Sequence, residues 1–276
     1  MGDAHLKLNN IKIRDLIIGI KGAGEQSSGI AWRLFQANIQ NLFMMEKNAP
    51  LAIRRSVSFC EALYCNTKVV EGVTAEKIED LNRIKSTWDR HHIAVLKDPK
   101  WDAIKKLSPH VVIDATIAKK NLGTSLGEAP LVIGLGPGFE AGKDVHMVIE
   151  THRGHNLGRV IYQGTALTNT GIPGNIDGFT MERILRAPMG GTFESEYDIG
   201  MAVTKGQVVA MVAGHPVTAK VSGVIRGLIK PGTRVGRGQK IGDIDPRGEV
   251  SFCHTLSDKS RALGGAVLEA ILKIYN

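Results

Sequence analysis

The sequence predicts an α/β chain: a Rossmann-like parallel-sheet domain, then an all-β barrel-sandwich module, then a C-terminal helix. Three observations predict this. Strand-like and helix-like segments alternate through the first third, the rhythm of a parallel sheet with helices on both faces. After Pro130 the helical spacing stops, and short apolar runs broken by glycines continue to Gly248. Within that stretch, residues 187–212 align without gaps on residues 219–244, and chance rarely preserves spacing over such a length.

The elements follow in order. Leu16–Ile20 reads as an apolar strand and Lys21–Gly29 as a glycine- and serine-containing turn. Ile30, Leu34 and Phe35 suit a short helix packed on the sheet. Leu42–Met45 forms a second strand ending at Glu46, and a helix over Leu51–Tyr64 follows Pro50. Val69–Val73 reads as a strand, and Ile78, Leu81 and Ile84 keep helical spacing. Ile93–Leu96 and His110–Ala115 read as buried strands, with a helix over Trp101–Leu107 between them. In the repeat, Ala187, Gly191, Gly200, Val203, Gly206 and Gln207 recur as Ala219, Gly223, Gly232, Val235, Gly238 and Gln239. Two such halves interlock if each buries the apolar face of the other. Ser257 is the expected N-cap of a last helix with Leu263, Val267, Leu268, Ile271 and Leu272 as its apolar stripe. The expected divisions are a Rossmann-like domain over 1–129, a strand and glycine-loop segment over 130–182, a barrel-sandwich module over 183–248, and a helix over 249–276 that packs back.

Composition bounds the function. The chain has 276 residues, enough for two cores, with a formal net charge of +8. Its basic residues are scattered and lack interleaved aromatics, so no nucleic-acid partner is expected; a phosphate-bearing small molecule fits the charge better. No apolar run approaches the roughly 20 residues of a membrane span, and the N-terminus lacks a hydrophobic signal core. Cys60, Cys65 and Cys253 make no disulfide framework, so a cytoplasmic setting without membrane contact is expected.

The segment 131–160 reads as a site. Leu131–Ile133 breaks into Gly134, Gly136 and Gly138, and Val145–Ile149 ends in Glu150, Thr151, His152, Arg153, Gly154, His155 and Asn156. Glycines at strand ends present backbone N–H groups, and neighbouring strands bring their ends together. The expected pocket therefore holds an anionic ligand on Gly134, Gly136, Gly138, His152, Arg153 and Asn156. A second candidate is the turn Gly22-Ala23-Gly24 between a strand and a helix, where a dinucleotide-binding turn aims N–H groups at a pyrophosphate. Glu46, at the end of the next strand, stands where an acid grips a ribose hydroxyl. Here Gly29 follows Gly24 by five residues rather than three, and Glu25 puts an acid in the first helical turn. His146, His152 and His155 lack metal-ligand spacing, so no metal is expected. Cys253 lies beside His254 and just before a helix, where a thiol is activated as a thiolate, which makes it the candidate catalytic residue. Asp245 and Arg247 are expected to form a turn pair.

Each half-repeat resembles the biotinyl and lipoyl carrier domains, but the link Ala213–Thr218 contains no lysine to carry a prosthetic group. More broadly, PLAIRRSVSFCEALY (50–64), VVIDATIAKKNLGT (111–124), residues 131–161, NTGIPG (169–174), KIGDIDPRG (240–248) and TLSDKSRALGGAVLEAIL (255–272) together resemble one family. It is the selenium-dependent molybdenum hydroxylase accessory proteins, also called YqeB-like. The resemblance implies an accessory protein in maturation or cofactor insertion, with a molybdenum hydroxylase or other maturation proteins as partners. It implies no defined reaction; the two glycine loops with His152, Arg153 and Asn156 suit a nucleotide or a molybdopterin-type cofactor as ligand. The family's turn is written GGGDxATG; this chain has Gly22-Ala-Gly24-Glu25. Two other readings stand beside it: an NAD(P)-dependent oxidoreductase using the Gly22–Gly29 turn, and a docking scaffold without a ligand.

Overall fold

A computed structural model describes residues 11–276. The chain divides into two units. One takes the described residues up to Pro50, Ser58–Asn169 and Leu256–Asn276; the other takes Leu51–Val57 and Thr170–Thr255.

In the first unit, apolar runs become the strands of a nine-stranded sheet. In chain order its elements are β1 (Ile17–Lys21), α1 (Glu25–Gln36), β2 (Asn41–Glu46), α2 (Ala62–Cys65), β3 (Thr67–Val70), β4 (Val73–Ile78), α3 (Ile84–Asp89), β5 (Ile93–Lys97), α4 (Asp102–Leu107), β6 (Val111–Asp114), β7 (Leu131–Leu135), β8 (Glu140–Ala141), β9 (Met147–Ile149), β10 (Val160–Ile161) and β11 (Gly164–Thr165). The sheet order is β10-β9-β7-β6-β1-β2-β5-β4-β3, and β8 pairs with β11 apart from it. The seven inner strands run parallel, whereas β3 and β10 run antiparallel at the two edges. Buried on both faces, the central strands read as continuous apolar runs such as Val111-Val112-Ile113.

The second unit contains β12 (Ile184–Arg186), β13 (Gly191–Glu194), β14 (Ala202–Val203), β15 (Val208–Val212), β16 (His215–Thr218), β17 (Gly223–Leu228), β18 (Arg234–Val235), β19 (Lys240–Asp245) and the short α5 (Ser251–His254). The repeat is visible in the pairing. Gly191 opposite Val235 is matched, with the halves exchanged, by Gly223 opposite Val203. Phe193 opposite Val212 is matched by Ile225 opposite Ile244. The strands form two four-stranded antiparallel sheets, β12-β19-β17-β14 and β16-β15-β13-β18, each taking strands from both halves. Phe193, Val212, Ile225, Ile241 and Ile244 lie in the core they share.

The predicted fold class is corrected in both of its parts. The large sheet is mixed rather than parallel. Val69–Val73 is not one strand but the turn of the β3–β4 hairpin, where Glu71 (φ 42°) and Gly72 (φ 81°) reverse the chain. The repeat does not make a separate barrel-sandwich module. Its unit also takes Leu51–Val57: the Leu228 N–H donates to Ile53 O at 2.8 Å, and Leu51 and Ile53 pack on its core. For the same reason Leu51–Tyr64 is not one helix; only Ala62–Cys65 is α-helical there. The last helix, α6 (Asp258–Tyr275), begins at Ser257, whose hydroxyl accepts the Ser260 N–H at 3.2 Å, and it packs on α1 in the first unit.

Candidate functional site

The carboxyl ends of the parallel strands define the candidate site. From β1 the chain passes to β2 on one side and later returns through β6 on the other, so the order reverses between β1 and β6. In open α/β sheets the crevice at such a reversal is where ligands bind. Lys21 ends β1 and stands opposite Asp114, which ends β6. Both side chains are buried. Lys21 Nζ donates to Thr124 Oγ1 and Glu128 Oε1, each at 2.7 Å, and the Thr124 hydroxyl donates to Asp114 Oδ2 at 2.6 Å. The Thr116 hydroxyl donates to Asp114 Oδ1 at 2.7 Å. Glu128 Oε2 is buried with no hydrogen-bond partner among the described residues, an acceptor that costs free energy until a donor reaches it. Sequence reasoning missed this network, although a lysine and an aspartate ending apolar strands signal buried charge.

The Gly22–Gly24 turn sits beside it. The Gly22 N–H donates to Met45 O at 2.8 Å, and the Ala23 N–H donates to Glu46 Oε2 at 3.0 Å. Glu46 also takes its neighbour's N–H at Lys47, so its carboxylate ties the turn to β2 instead of standing open for a ribose. Gly24 is different: a Cβ built there would meet nothing within 4 Å, which leaves open space before the N-terminus of α1. Glu25 accepts the Ser257 hydroxyl at 2.9 Å, so the start of α1 is joined to the start of α6.

The two loops of segment 131–160 are brought together. The Gly136 N–H donates to Ile149 O at 2.9 Å. The three glycines, however, are required by packing and do not form an open cradle. A Cβ on Gly134 would lie 2.6 Å from Phe139 Cγ, on Gly136 2.6 Å from Thr151 Oγ1, and on Gly138 2.5 Å from Lys120 Cα. Glu150 is buried and accepts the N–H groups of His152 (2.7 Å) and Leu167 (2.8 Å), which fixes the loop. His152 and Asn156 are exposed. Arg153 forks onto Asp258 at the start of α6, at 2.5 and 2.8 Å. His146 accepts the Val132 N–H at 2.9 Å, and burial pushes its pKa below the ordinary imidazole value. Among the described residues, no group of three or more His, Cys, Asp or Glu side chains is placed to hold a metal ion, and no helix is long and apolar enough to cross a membrane.

Lys259 completes the arrangement. Burial pushes its pKa below the ordinary lysine value and Arg153 pushes it further, while Glu25, Glu150 and Asp258 oppose the shift. The start of α6 is thus tied to the Arg153 loop through Asp258 and to the start of α1 through Ser257. Glu25 and Asp258 already occupy the two helix N-termini, so a phosphate would have to compete with Asp258 for the Arg153 fork.

Cys253 lies in the second unit and does not meet the expectation of an activated thiol. It is fully buried, and burial pushes its pKa up against the lowering effect of Arg54 and Arg226. Its Sγ contacts Ile225 O at 3.6 Å. The Asp245–Arg247 pair is present, with Arg247 Nε and Nη2 donating at 2.9 and 2.6 Å.

The chain is 45% identical over 260 residues to an uncharacterized protein of Escherichia coli (strain K12), YqeB, with 94% of this chain and 48% of that one covered. The chain thus spans about half the length of the curated relative it matches, and the likeness supports a YqeB-like family. No family model matches the chain. Among solved structures, an aspartoacylase family protein from Mesorhizobium loti is 15% identical, with 83% of this chain and 84% of that chain covered and a TM-score of 0.28. The product-bound ectoine utilization protein EutE (DoeB) from Ruegeria pomeroyi is 10% identical, with 83% and 57% covered and a TM-score of 0.23. TM-scores this low establish neither a shared fold nor an activity.

Proposed function

We propose that the first unit binds a phosphate-bearing ligand, a nucleotide or a molybdopterin-type cofactor, between the starts of α1 and α6. We further propose that the chain serves as an accessory protein in maturation of, or cofactor insertion into, a selenium-dependent molybdenum hydroxylase. The observation that carries the binding is the Arg153 fork on Asp258 at the start of α6, which Ser257 joins to Glu25 at the start of α1, next to the open space at Gly24 and with Lys259 in the same first turn. The pathway rests on the sequence blocks that resemble the accessory family, and the partner follows from it. The ligand's phosphate replaces Asp258 on Arg153 and takes its second charge contact from Lys259.

The test is native mass spectrometry of the protein purified from its own host. The expected result is a co-purifying nucleotide or pterin dinucleotide that is lost in the Arg153→Ala, Lys259→Ala double variant. An unliganded wild-type mass, together with no binding of pyrophosphate or cytidine diphosphate by calorimetry, overturns the binding. Stoichiometric NADPH binding with hydride transfer overturns the accessory role in favour of an oxidoreductase.

A further inference from the structure

One difference between the two halves of the repeat coincides with a cleft. Position 187 falls on 219, an offset of 32 residues, so Ser195 and Glu196 are the counterparts of Gly227 and Leu228. In the second half the β17–β19 ladder continues through Gly227 opposite Asp243 to Leu228 opposite Gly242. In the first half the β13–β15 ladder stops at Glu194 opposite Met211. There β13 peels away: the Ser195 hydroxyl donates to Val209 O at 2.7 Å in place of a ladder bond. A cleft of about 430 Å³ is lined by Glu194–Tyr197, Val208–Met211 and Pro231. That volume is within the range of binding pockets.

The second half shows what such a place holds. Leu51–Ile53 lies against Gly227 and Leu228 as a strap that bends at Ile53 and Arg54 and enters a short 3-10 turn at Arg55. The Leu228 N–H donates to Ile53 O and Arg55 Nε donates to Leu228 O, each at 2.8 Å. Gly227 permits the approach, since a Cβ there would stand 2.7 Å from Ile53 Cγ2. Among the described residues no such backbone hydrogen bond reaches Glu196, the counterpart of Leu228. The charged residues lining the cleft are Glu194 and Glu196, both exposed.

We propose that the cleft between β13 and β15 is a docking site for an extended segment of a partner protein that carries apolar residues followed by arginine, the pattern of Leu51-Ala52-Ile53-Arg54-Arg55. Backbone groups of the splayed strands hold the segment by strand addition, the apolar side chains fill the cleft, and the arginines meet Glu194 and Glu196. A second copy of this chain does not supply it, because its own strap is engaged: Ala52 and Arg54 are buried within the same unit. This site is separate from the ligand site proposed in the first unit, and its failure leaves that reading standing.

The experiment titrates the full chain with a fluorescein-labelled Leu-Ala-Ile-Arg-Arg peptide and follows backbone hydrogen exchange. The expected result is saturable binding that protects residues 194–197 and 208–211. Glu194→Lys with Glu196→Lys, both on exposed positions, should weaken it about tenfold or more, the scale of one charge-assisted contact. The peptide Leu-Ala-Ile-Glu-Glu should not bind. Absence of binding, protection at Gly227–Leu228 instead, or equal affinity in the charge-reversed variant overturns the proposal.

Discussion

Gly264 of α6 stands over the backbone of Gly29 of α1: a Cβ on Gly264 would lie 2.9 Å from Gly29 O and 2.7 Å from Arg33 Cβ. The reciprocal contact is as close, with 2.6 Å from a Cβ on Gly29 to Ser260 Cβ. Two glycines thus let the helices approach until the hydroxyls of Ser257 and Ser260 reach Glu25. The glycine that is displaced from a dinucleotide-binding turn, Gly29, serves this helix contact.

Gly264 and Gly265 therefore respond oppositely to the same substitution. Gly265→Ala meets open space and gains helix propensity, about 0.5–1 kcal/mol of stability. Gly264→Ala gains the same propensity but drives a methyl into Arg33 and the Gly29 carbonyl, where overpacking costs roughly 1–3 kcal/mol. Urea unfolding of the two variants checks this. Equal stabilisation by both would mean that the helices are not in close contact.

Arg153 separates binding from folding. Its partner Asp258 is 69% exposed, and such pairs contribute at most about 1 kcal/mol to stability. Arg153→Ala should leave urea unfolding within that margin and weaken a bound phosphate by about 1.5–3 kcal/mol. Calorimetry with pyrophosphate beside the unfolding curve reads both quantities. Gly136→Val acts otherwise, because its side chain collides with Thr151 and loosens the loop before any ligand arrives.

The three thiols rank by burial. Cys65 is exposed, whereas Cys60 and Cys253 are buried and burial pushes both of their pKa values up. At neutral pH the folded protein should release one equivalent of thionitrobenzoate rapidly, from Cys65, and the other two only on unfolding. Cys253→Ser should then leave any maturation activity intact. Fast reaction at Cys253 in the folded chain would restore the thiolate reading.

Much of this was legible in the sequence, for identifiable reasons. β1, β2, β5 and β6 are buried on both faces, so their apolar runs mark them within a residue or two. The repeat announced matching short strands in its two halves, and β13 and β15 of the first half recur as β17 and β19 of the second. Leu51–Tyr64 misled because its apolar residues serve two cores: Leu51 and Ile53 pack in the second unit, while Phe59 and Cys60 are buried in the first. The Gly134–Gly138 loop was placed correctly beside Glu150–Asn156, yet its glycines answer to Phe139, Thr151 and Lys120, contacts that no spacing rule reveals. Lys259 was invisible, because a lysine in a first helical turn reads as solvated. Its surroundings come from residues 25, 150 and 153, far away in sequence.

Asp245 is a fully buried charge of the second unit. Burial alone would raise its pKa, but hydrogen bonds from Arg247 and the charges of Arg247 and Arg226 hold it below the ordinary aspartate value. A depressed carboxylate contributes stability above its unfolded pKa and loses that contribution as pH falls through the folded value. The wild type should therefore lose part of its stability only below about pH 4. Asp245→Asn removes the charge that accepts from Arg247 and faces Arg226 at 3.7 Å, and should cost about 3–5 kcal/mol at neutral pH. It should also flatten the acid limb of the stability curve. An unchanged acid limb would assign that titration to another group.

Lys259 gives the same rise of stability with pH at the alkaline end, although there the charged form is the one that folding disfavours. Its folded pKa is depressed, so folding disfavours the charged amine, and the penalty is fully present at neutral pH. Between the folded value and the ordinary lysine value of about 10.4, the unfolded chain holds the extra proton, so stability rises with pH through that window. Lys259→Met keeps the stem and removes the amine, so it should be neutral or stabilising at pH 7 and should lack the alkaline rise. The same depressed pKa makes this amine a better nucleophile than the exposed lysines at mildly alkaline pH. Pulse acetylation with acetic anhydride, read by peptide mass, should mark Lys259 ahead of them in the ligand-free protein. Pyrophosphate should suppress that labelling by pairing with the protonated amine. Labelling of Lys259 that is slower than the exposed lysines, and unchanged by pyrophosphate, would remove it from the site.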